Sequence, residues 1–168
     1  MKRKVWYLGL FFLITYSLLL VAVGCGFSQD FSQNPAYSAL FSDQDSDTQK
    51  TLKNLVIKQI EAYNAQDPEA YASAMDWDEQ DRTSFCEQFW QTAKNVRTEL
   101  SLGALSAVVL DSNTSLAQVG ALVQTRLIRV ADGAVIDEHY NQVTYTMTSR
   151  DGTWYITTIE NGADQYYD

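Results

Sequence analysis

The chain has 168 residues, with 12 Lys plus Arg against 21 Asp plus Glu, a net charge of −9 and a single His. That acidity argues against a nucleic-acid partner and against an electrostatic grip on anionic lipid. The cysteines are two, Cys25 and Cys86; they make neither a disulfide framework nor a Cys/His cluster, so no metal and no cofactor is expected.

Lys2, Arg3 and Lys4 open the chain, and a low-polarity run follows over residues 5–23, with Leu8, Phe11, Phe12, Leu13, Ile14 and Leu18 at its heart. A basic start, an apolar middle and a small residue at the end are the parts of an export signal. The basic end stays cytoplasmic, because Lys and Arg resist translocation. The run stops at Ala22-Val23-Gly24-Cys25. These four residues resemble the lipobox of bacterial lipoproteins, in which the Cys becomes the acylated first residue of the mature chain. Gly24 fits the small residue before the Cys; Ala22 stands where Leu is usual, and Val23 is a less common neighbour. The resemblance implies a signal peptide over 1–24, lipidation of Cys25, and a protein held by lipid on the extracytoplasmic face of the cell membrane. An uncleaved single-pass anchor is the alternative, since at 1.5 Å per residue the run reaches about 28 Å. Both readings put the rest of the chain outside the cytoplasm. Without Lys2, Arg3 and Lys4, 9 basic residues stand against 21 acidic, a balance of −12.

Residues 25–46 read as the lipidated Cys and a flexible linker, rich in Ser, Gln, Asn and Asp, although Phe27, Phe31, Tyr37, Leu40 and Phe41 interrupt it. As coil it spans roughly 25 Å. One domain is expected over 47–161 and a polar tail over 162–168. Its first half is helical. Ser46-Asp47-Thr48-Gln49 forms a capping box, and Leu52, Leu55, Val56, Ile60 and Tyr63 make one apolar stripe. Asp67-Pro68 starts a second, short helix. Asp78 opens a third, with Glu79 and Asp81 suited to the helix dipole and a stripe of Phe85, Cys86, Phe89, Trp90 and Ala93. Cys86 on that stripe reads as a small core hydrophobe. From Glu99 on, β-branched and alternating residues take over. Strands are expected near 104–111, 116–130, 134–150 and 153–160, with a further short one over 97–103, bulges at Gly103 and Gly120, and two-residue turns at Asp132-Gly133 and Asp151-Gly152.

The class is therefore α+β, three helices packed on a curved antiparallel sheet of four to five strands. The run Ile60-Glu61-Ala62-Tyr63-Asn64-Ala65-Gln66-Asp67-Pro68-Glu69-Ala70-Tyr71 is similar to the first helix pair of nuclear-transport-factor-2-like (cystatin-like) domains. Arg150-Asp151-Gly152-Thr153-Trp154-Tyr155-Ile156 is similar to their last hairpin. The resemblance implies a cone-shaped sheet with helices in its mouth. That superfamily holds isomerases, dehydratases, transport factors and envelope domains, so the fold does not select a function.

With two-residue loops at both Asp-Gly pairs, Arg126 faces His139, Ile128 faces Asp137 and Gln124 faces Asn141. Met147 then faces Ile156, and Ser149 faces Trp154. All share one face with Leu116, Leu122, Val143 and Tyr145, and its apolar members mark it as the face the helices cover. Thr144, Thr146, Thr148, Thr157 and Tyr140 take the other, which suits solvent or a second copy of the chain. The ligand-binding candidates are thus Gln124, Arg126, Asp137, His139, Asn141 and Tyr145, with His139 and Asp137 the candidates for catalysis. Tyr63, Tyr71, Trp77 and Trp90 read as core before pocket. Two functions follow. One is a non-catalytic envelope module that binds a protein or small ligand. The other is an isomerase- or dehydratase-type enzyme that moves a proton through His139 and Asp137.

Overall fold

The computed structural model describes residues 31–111 and 115–165. The export signal, Cys25 and residues 26–30 lie outside that range. Among the described residues no helix is long and apolar enough to cross a membrane.

Helix α1 spans Asp47–Asn64. Ser46 caps it as expected: its Oγ accepts from the Gln49 N–H at 3.2 Å, and Gln49 Oε1 accepts from the Ser46 N–H at 2.8 Å. Each end of α1 is also fastened to strand β1, Val96–Asp111. Gln49 Nε2 donates to the Ala107 carbonyl at 3.0 Å. At the other end Asn64 bonds both the N–H and the carbonyl of Leu100, at 2.8 Å each, as a paired strand would. Helix α2 is Pro68–Ser73, with Asp67 accepting from the Ala70 N–H and Pro in its first turn. Helix α3 is Glu79–Ala93, with Asp78 accepting from the Asp81 N–H.

Strands β2 (Leu116–Arg129), β3 (Val135–Arg150) and β4 (Thr153–Gln165) complete a four-stranded antiparallel meander in the order β1-β2-β3-β4. The expected extra strand over 97–103 is the first part of β1, which runs on through a register shift at Gly103. Gly120 carries no bulge. It pairs regularly with Ser106 and Thr144, and a Cβ there would stand 3.1 Å from Ser106 Oγ. Strand β4 continues into the stretch assigned to the tail. The segment after α2 adds one parallel bridge to it: Asp76 N–H donates to the Ile156 carbonyl, and Ile156 N–H to that of Ala74. The core lies between α1 and the concave face of the sheet, where Leu52, Val56, Ile60, Met75, Val119, Tyr145, Met147 and Ile156 are buried together.

The second hairpin has the expected register, with Met147 opposite Ile156 and Ser149 opposite Trp154. Asp151 and Gly152 both have positive φ, at 52° and 78°, which a two-residue turn of this hand requires. The first hairpin differs. Its loop holds four residues, Val130 to Gly133, closed by Arg129 N–H to the Ala134 carbonyl and Gly133 N–H to that of Arg129. An irregularity beside Leu127 then shifts the register back by one. The net slip of one residue sets Glu138 opposite Arg126, His139 opposite Thr125 and Tyr140 opposite Gln124. A one-residue slip turns the whole strand over. Over residues 116–123 the buried members of β2 are accordingly Ala117, Val119, Ala121 and Val123, and Leu116 and Leu122 are not on the helix side; Ile128 is buried as well, beyond the irregularity beside Leu127.

Residues 31–46, expected as flexible linker, fold instead as a strap along α1. Two 3₁₀ turns, Phe31–Gln33 and Ser38–Leu40, shape it. Phe31 is buried, and its N–H donates to Asn54 Oδ1 at 3.0 Å. Lys53 reaches from α1 to the Leu40 carbonyl at 2.9 Å and to Asp45 at 2.6 Å, with its charge 5.8 Å from the centre of the Phe41 ring. The Tyr37 hydroxyl donates to Glu61, and burial together with that carboxylate pushes it up to about 12.

Candidate functional site

The cone leaves a cavity of about 350 Å³ between the helices and the sheet. Helix α1 contributes Gln59, Ile60 and Tyr63, and α2 contributes Tyr71. Thr98 and Leu100 enter from β1, Val123 and Thr125 from β2, and Ile159 and Asn161 from β4. Strand β3 gives four residues in alternation, His139, Asn141, Val143 and Tyr145. Three of the sequence-named candidates, His139, Asn141 and Tyr145, are therefore brought together. Asp137 stands behind them, its Oδ2 2.9 Å from His139 Nδ1, and orients the ring from outside the lining.

Gln124 and Arg126 are not part of this group. The slip in the first hairpin puts both on the convex face, where Gln124 Nε2 donates to Glu138 at 2.5 Å and Arg126 pairs with Glu99 at 3.3 Å and Glu138 at 3.4 Å. Arg126 thus has no path to His139. Thr125 and Val123 take the inward places assigned to them. Gln59 was overlooked too, although its place midway between Leu55 and Tyr63 sets it on the apolar stripe. It is 1% exposed, with its amide 3.0 Å from the Met75 sulfur.

The aromatics expected as core divide. Tyr63 and Tyr71 line the cavity. Trp77 packs on Tyr71 and on Phe85, the latter at 5.1 Å between centroids. Trp90 is half exposed. Helix α3 has no buried residue, Cys86 included. It meets the rest of the domain through rings, with Phe85 stacked on Tyr71 at 4.8 Å and Phe89 edge-on to Tyr63 at 5.2 Å.

The chemistry of the cavity is that of neutral groups. Among its lining residues there is no Lys, Arg, Asp or Glu. Burial, reinforced by Tyr63, pushes the Tyr71 hydroxyl up to about 12. Burial, reinforced by Tyr71, raises that of Tyr145 as well. Both phenols therefore stay protonated donors throughout the physiological range. Amides from Gln59, Asn141 and Asn161 offer both donors and acceptors. Ile60, Val123, Val143 and Ile159 supply apolar wall. Such a site orients a small neutral molecule by a few hydrogen bonds and holds it by contact. Among the described residues no group of three His, Cys, Asp or Glu is placed to hold a metal ion.

No family model and no curated protein matches the chain. Solved structures do. A protein from Xanthomonas campestris assigned to the association domain of calcium/calmodulin-dependent protein kinase II aligns with TM-score 0.55 and 14% identity, over 72% of this chain and 90% of that one. A ketosteroid isomerase-like protein from Erwinia carotovora atroseptica gives TM-score 0.53 and 14% identity, over 68% and 95%. An uncharacterised protein from Caulobacter vibrioides with a cystatin-like fold gives TM-score 0.52 and 15% identity, over 66% and 84%. The domain thus has a cystatin-like, nuclear-transport-factor-2-like fold, α+β with three helices on a four-stranded antiparallel sheet. At these identities the likeness is one of fold.

Proposed function

We propose that this protein is a lipid-anchored, extracytoplasmic binding module whose cone cavity takes a small, uncharged, largely apolar ligand. The observation that carries the ligand reading is the lining itself: apolar wall with hydroxyl, amide and imidazole groups, and no Lys, Arg, Asp or Glu. A carboxylate or phosphate would enter without a cation to meet it, at a cost that favours neutral molecules. The anchor reading is supported by the basic start, the apolar run and Cys25 at its end. The Asp137–His139 pair favours a second reading, a proton-transferring enzyme in which Asp137 steadies the imidazole.

The test is the mass of the protein extracted from its own membranes, taken denatured and then native. A denatured mass that starts at Cys25 with acyl chains supports the anchor, and one that starts at Met1 replaces it with a single-pass span. Extra native mass of a few hundred daltons supports the ligand reading; equal masses from cells and after incubation with lipid extract would sink it. His139→Ala separates the two functions. Ligand that both wild type and variant retain unconverted favours the module, whereas ligand that the wild type converts and the variant only retains favours the enzyme.

A further inference from the structure

Five large hydrophobic side chains are exposed among the described residues, and four of them sit at one end of the domain. Val130, Val135 and Ile136, at 52%, 44% and 45% exposure, flank the β2–β3 turn. Trp90, at 50%, stands near the end of α3, and the two elements are tied where Val130 N–H donates to the Asn95 carbonyl at 3.0 Å. A hairpin turn is where polar residues are the rule. Here the turn reads Val-Ala-Asp-Gly-Ala-Val-Ile. About half of each of these aliphatic residues is left in solvent, and no turn geometry calls for them; within the turn Gly133 alone supplies the positive φ.

Charge separates this end from the rest. Its strand ends and turn carry Lys94, Arg97, Arg126 and Arg129 against Glu99, Asp132, Asp137 and Glu138, a balance of zero, in a chain whose residues after Lys4 sum to −12. Arg97 and Arg129 keep half of their side chains in solvent even while paired to Glu99 and Asp132. A Trp, three aliphatic groups and solvent-facing Arg are the composition of a lipid-interface contact, in which the apolar groups enter the acyl boundary and the cations meet headgroup phosphate.

The tether brings lipid within reach. Phe31 is locked on α1, and only residues 26–30 separate it from Cys25. Six Cα steps at full extension span about 20 Å. A domain held that close, with a radius near 15 Å of its own, meets the bilayer continually, and the apolar end with no net charge is the face least repelled.

We infer that the β2–β3 turn and Trp90 dock this end of the domain on the bilayer, an inference that rests on the anchor reading above. Thr125 and His139, which line the cavity, lie only a few residues down β2 and β3 from that turn. The docked end therefore presents the cavity to the membrane surface, and its neutral ligand is an amphiphile drawn from the bilayer.

The test places one thiol, by Ile136→Cys in a Cys86→Ser background, on the full chain in phosphatidylethanolamine–phosphatidylglycerol vesicles. An environment-sensitive fluorophore on that thiol is quenched by nitroxide-bearing lipids. Docking predicts at least fivefold more quenching than for the same label at Asp43→Cys on the strap, and Ala134→Cys repeats the reading if the first variant folds poorly. Equal quenching at the two ends overturns the inference. So does a label shielded from lipid in a chain whose native mass doubles, because the patch then joins two copies. Mass at Cys25 is read on the same sample. Acylated Cys25 with an unquenched turn refutes the docking alone; unmodified Cys25 refutes the anchor reading and with it the docking that rests on it.

Discussion

Asp45→Ala tests whether the strap is a built part of the domain. Lys53 is 4% exposed, and its ammonium has two polar partners, the Leu40 carbonyl and Asp45. Removing Asp45 leaves that charge covered and half-paired. An exposed pair is worth below 1 kcal/mol and breaking a buried one costs 3–5. This pair sits at the domain edge, where the strap can lift and let water in, so a loss of about 2 kcal/mol at pH 7 is expected. Lys53→Met removes the charge and keeps the stem, at a cost of about 1 kcal/mol; the double variant should cost little more, which leaves a coupling of about 1–2 kcal/mol. The pH dependence has a definite sign. Burial works to raise the Asp45 carboxyl, but hydrogen bonds from Lys53 and the Ser42 N–H, with the charges of Lys53 and Lys50, outweigh it and hold the group below 3.8. A lowered carboxylate value stabilises the fold above the unfolded value and loses that contribution as pH falls below it. The gap between wild type and Asp45→Ala, read by urea unfolding, should therefore close below pH 3.8. Amide exchange should also quicken at Phe41 and Asp45, whose N–H groups bond the Ser38 and Ser42 carbonyls, respectively, within the strap. Additive single costs, or a gap that does not narrow as pH falls below 3.8, would refute the reasoning.

Met147 and Ile156 face each other with no exposure at the centre of the core. Either one changed to Ala should cost about 3 kcal/mol in urea unfolding, since each leaves a cavity that rigid strands cannot close. Gly152→Val, at φ 78°, should cost about 1–2 kcal/mol although the side chain would meet open space. Stability should fall as pH rises above 10, where unfolded tyrosines ionise while Tyr71 stays protonated to about 12. Tyr71→Phe should flatten that alkaline slope in a thermal-melt series. For ligand retention, Asn141→Leu and Tyr145→Phe should weaken binding about tenfold each without changing the melting profile by more than a few degrees, whereas Gln124→Ala and Arg126→Ala on the convex face should leave it unchanged.

Helix starts were legible because capping is local. Ser46, Asp67 and Asp78 each bond an N–H three residues on, and side-chain reach fixes that spacing whatever the rest of the chain does. The Asp151-Gly152 turn was legible for the same reason. Asp132-Gly133 carries the same two letters, yet only Gly133 takes positive φ there, because Arg129 and Ala134 pair outside a four-residue loop. What decided between the two loops was burial at a distance. In β2 the inward residues Ala117, Val119, Ala121 and Val123 include two alanines, while the outward set holds Leu116 and Leu122. Counting apolar bulk along that strand therefore favours the wrong face.

That single slip accounts for the error in the site. Strand β3 was assigned correctly, because Val143, Tyr145 and Met147 are large and alternate cleanly, so His139 and Asn141 followed onto the concave face. Strand β2 was turned over, which took Gln124 and Arg126 out and put Val123 and Thr125 in. The correction changes the chemistry and not only the roster. With Arg126 inside, the cavity would have held a cation beside His139 and suited an anion. With Arg126 on the convex face between Glu99 and Glu138, the lining is neutral, and a neutral ligand is the one it suits. The stripe of α3 differs in the complementary direction. Phe85, Phe89 and Trp90 recur at helical spacing as core residues do, but the sheet is already covered by α1, so α3 packs Phe85 and Phe89 on the rings of Tyr71 and Tyr63 and leaves Trp90 half exposed at the end of the domain that we assign to the membrane.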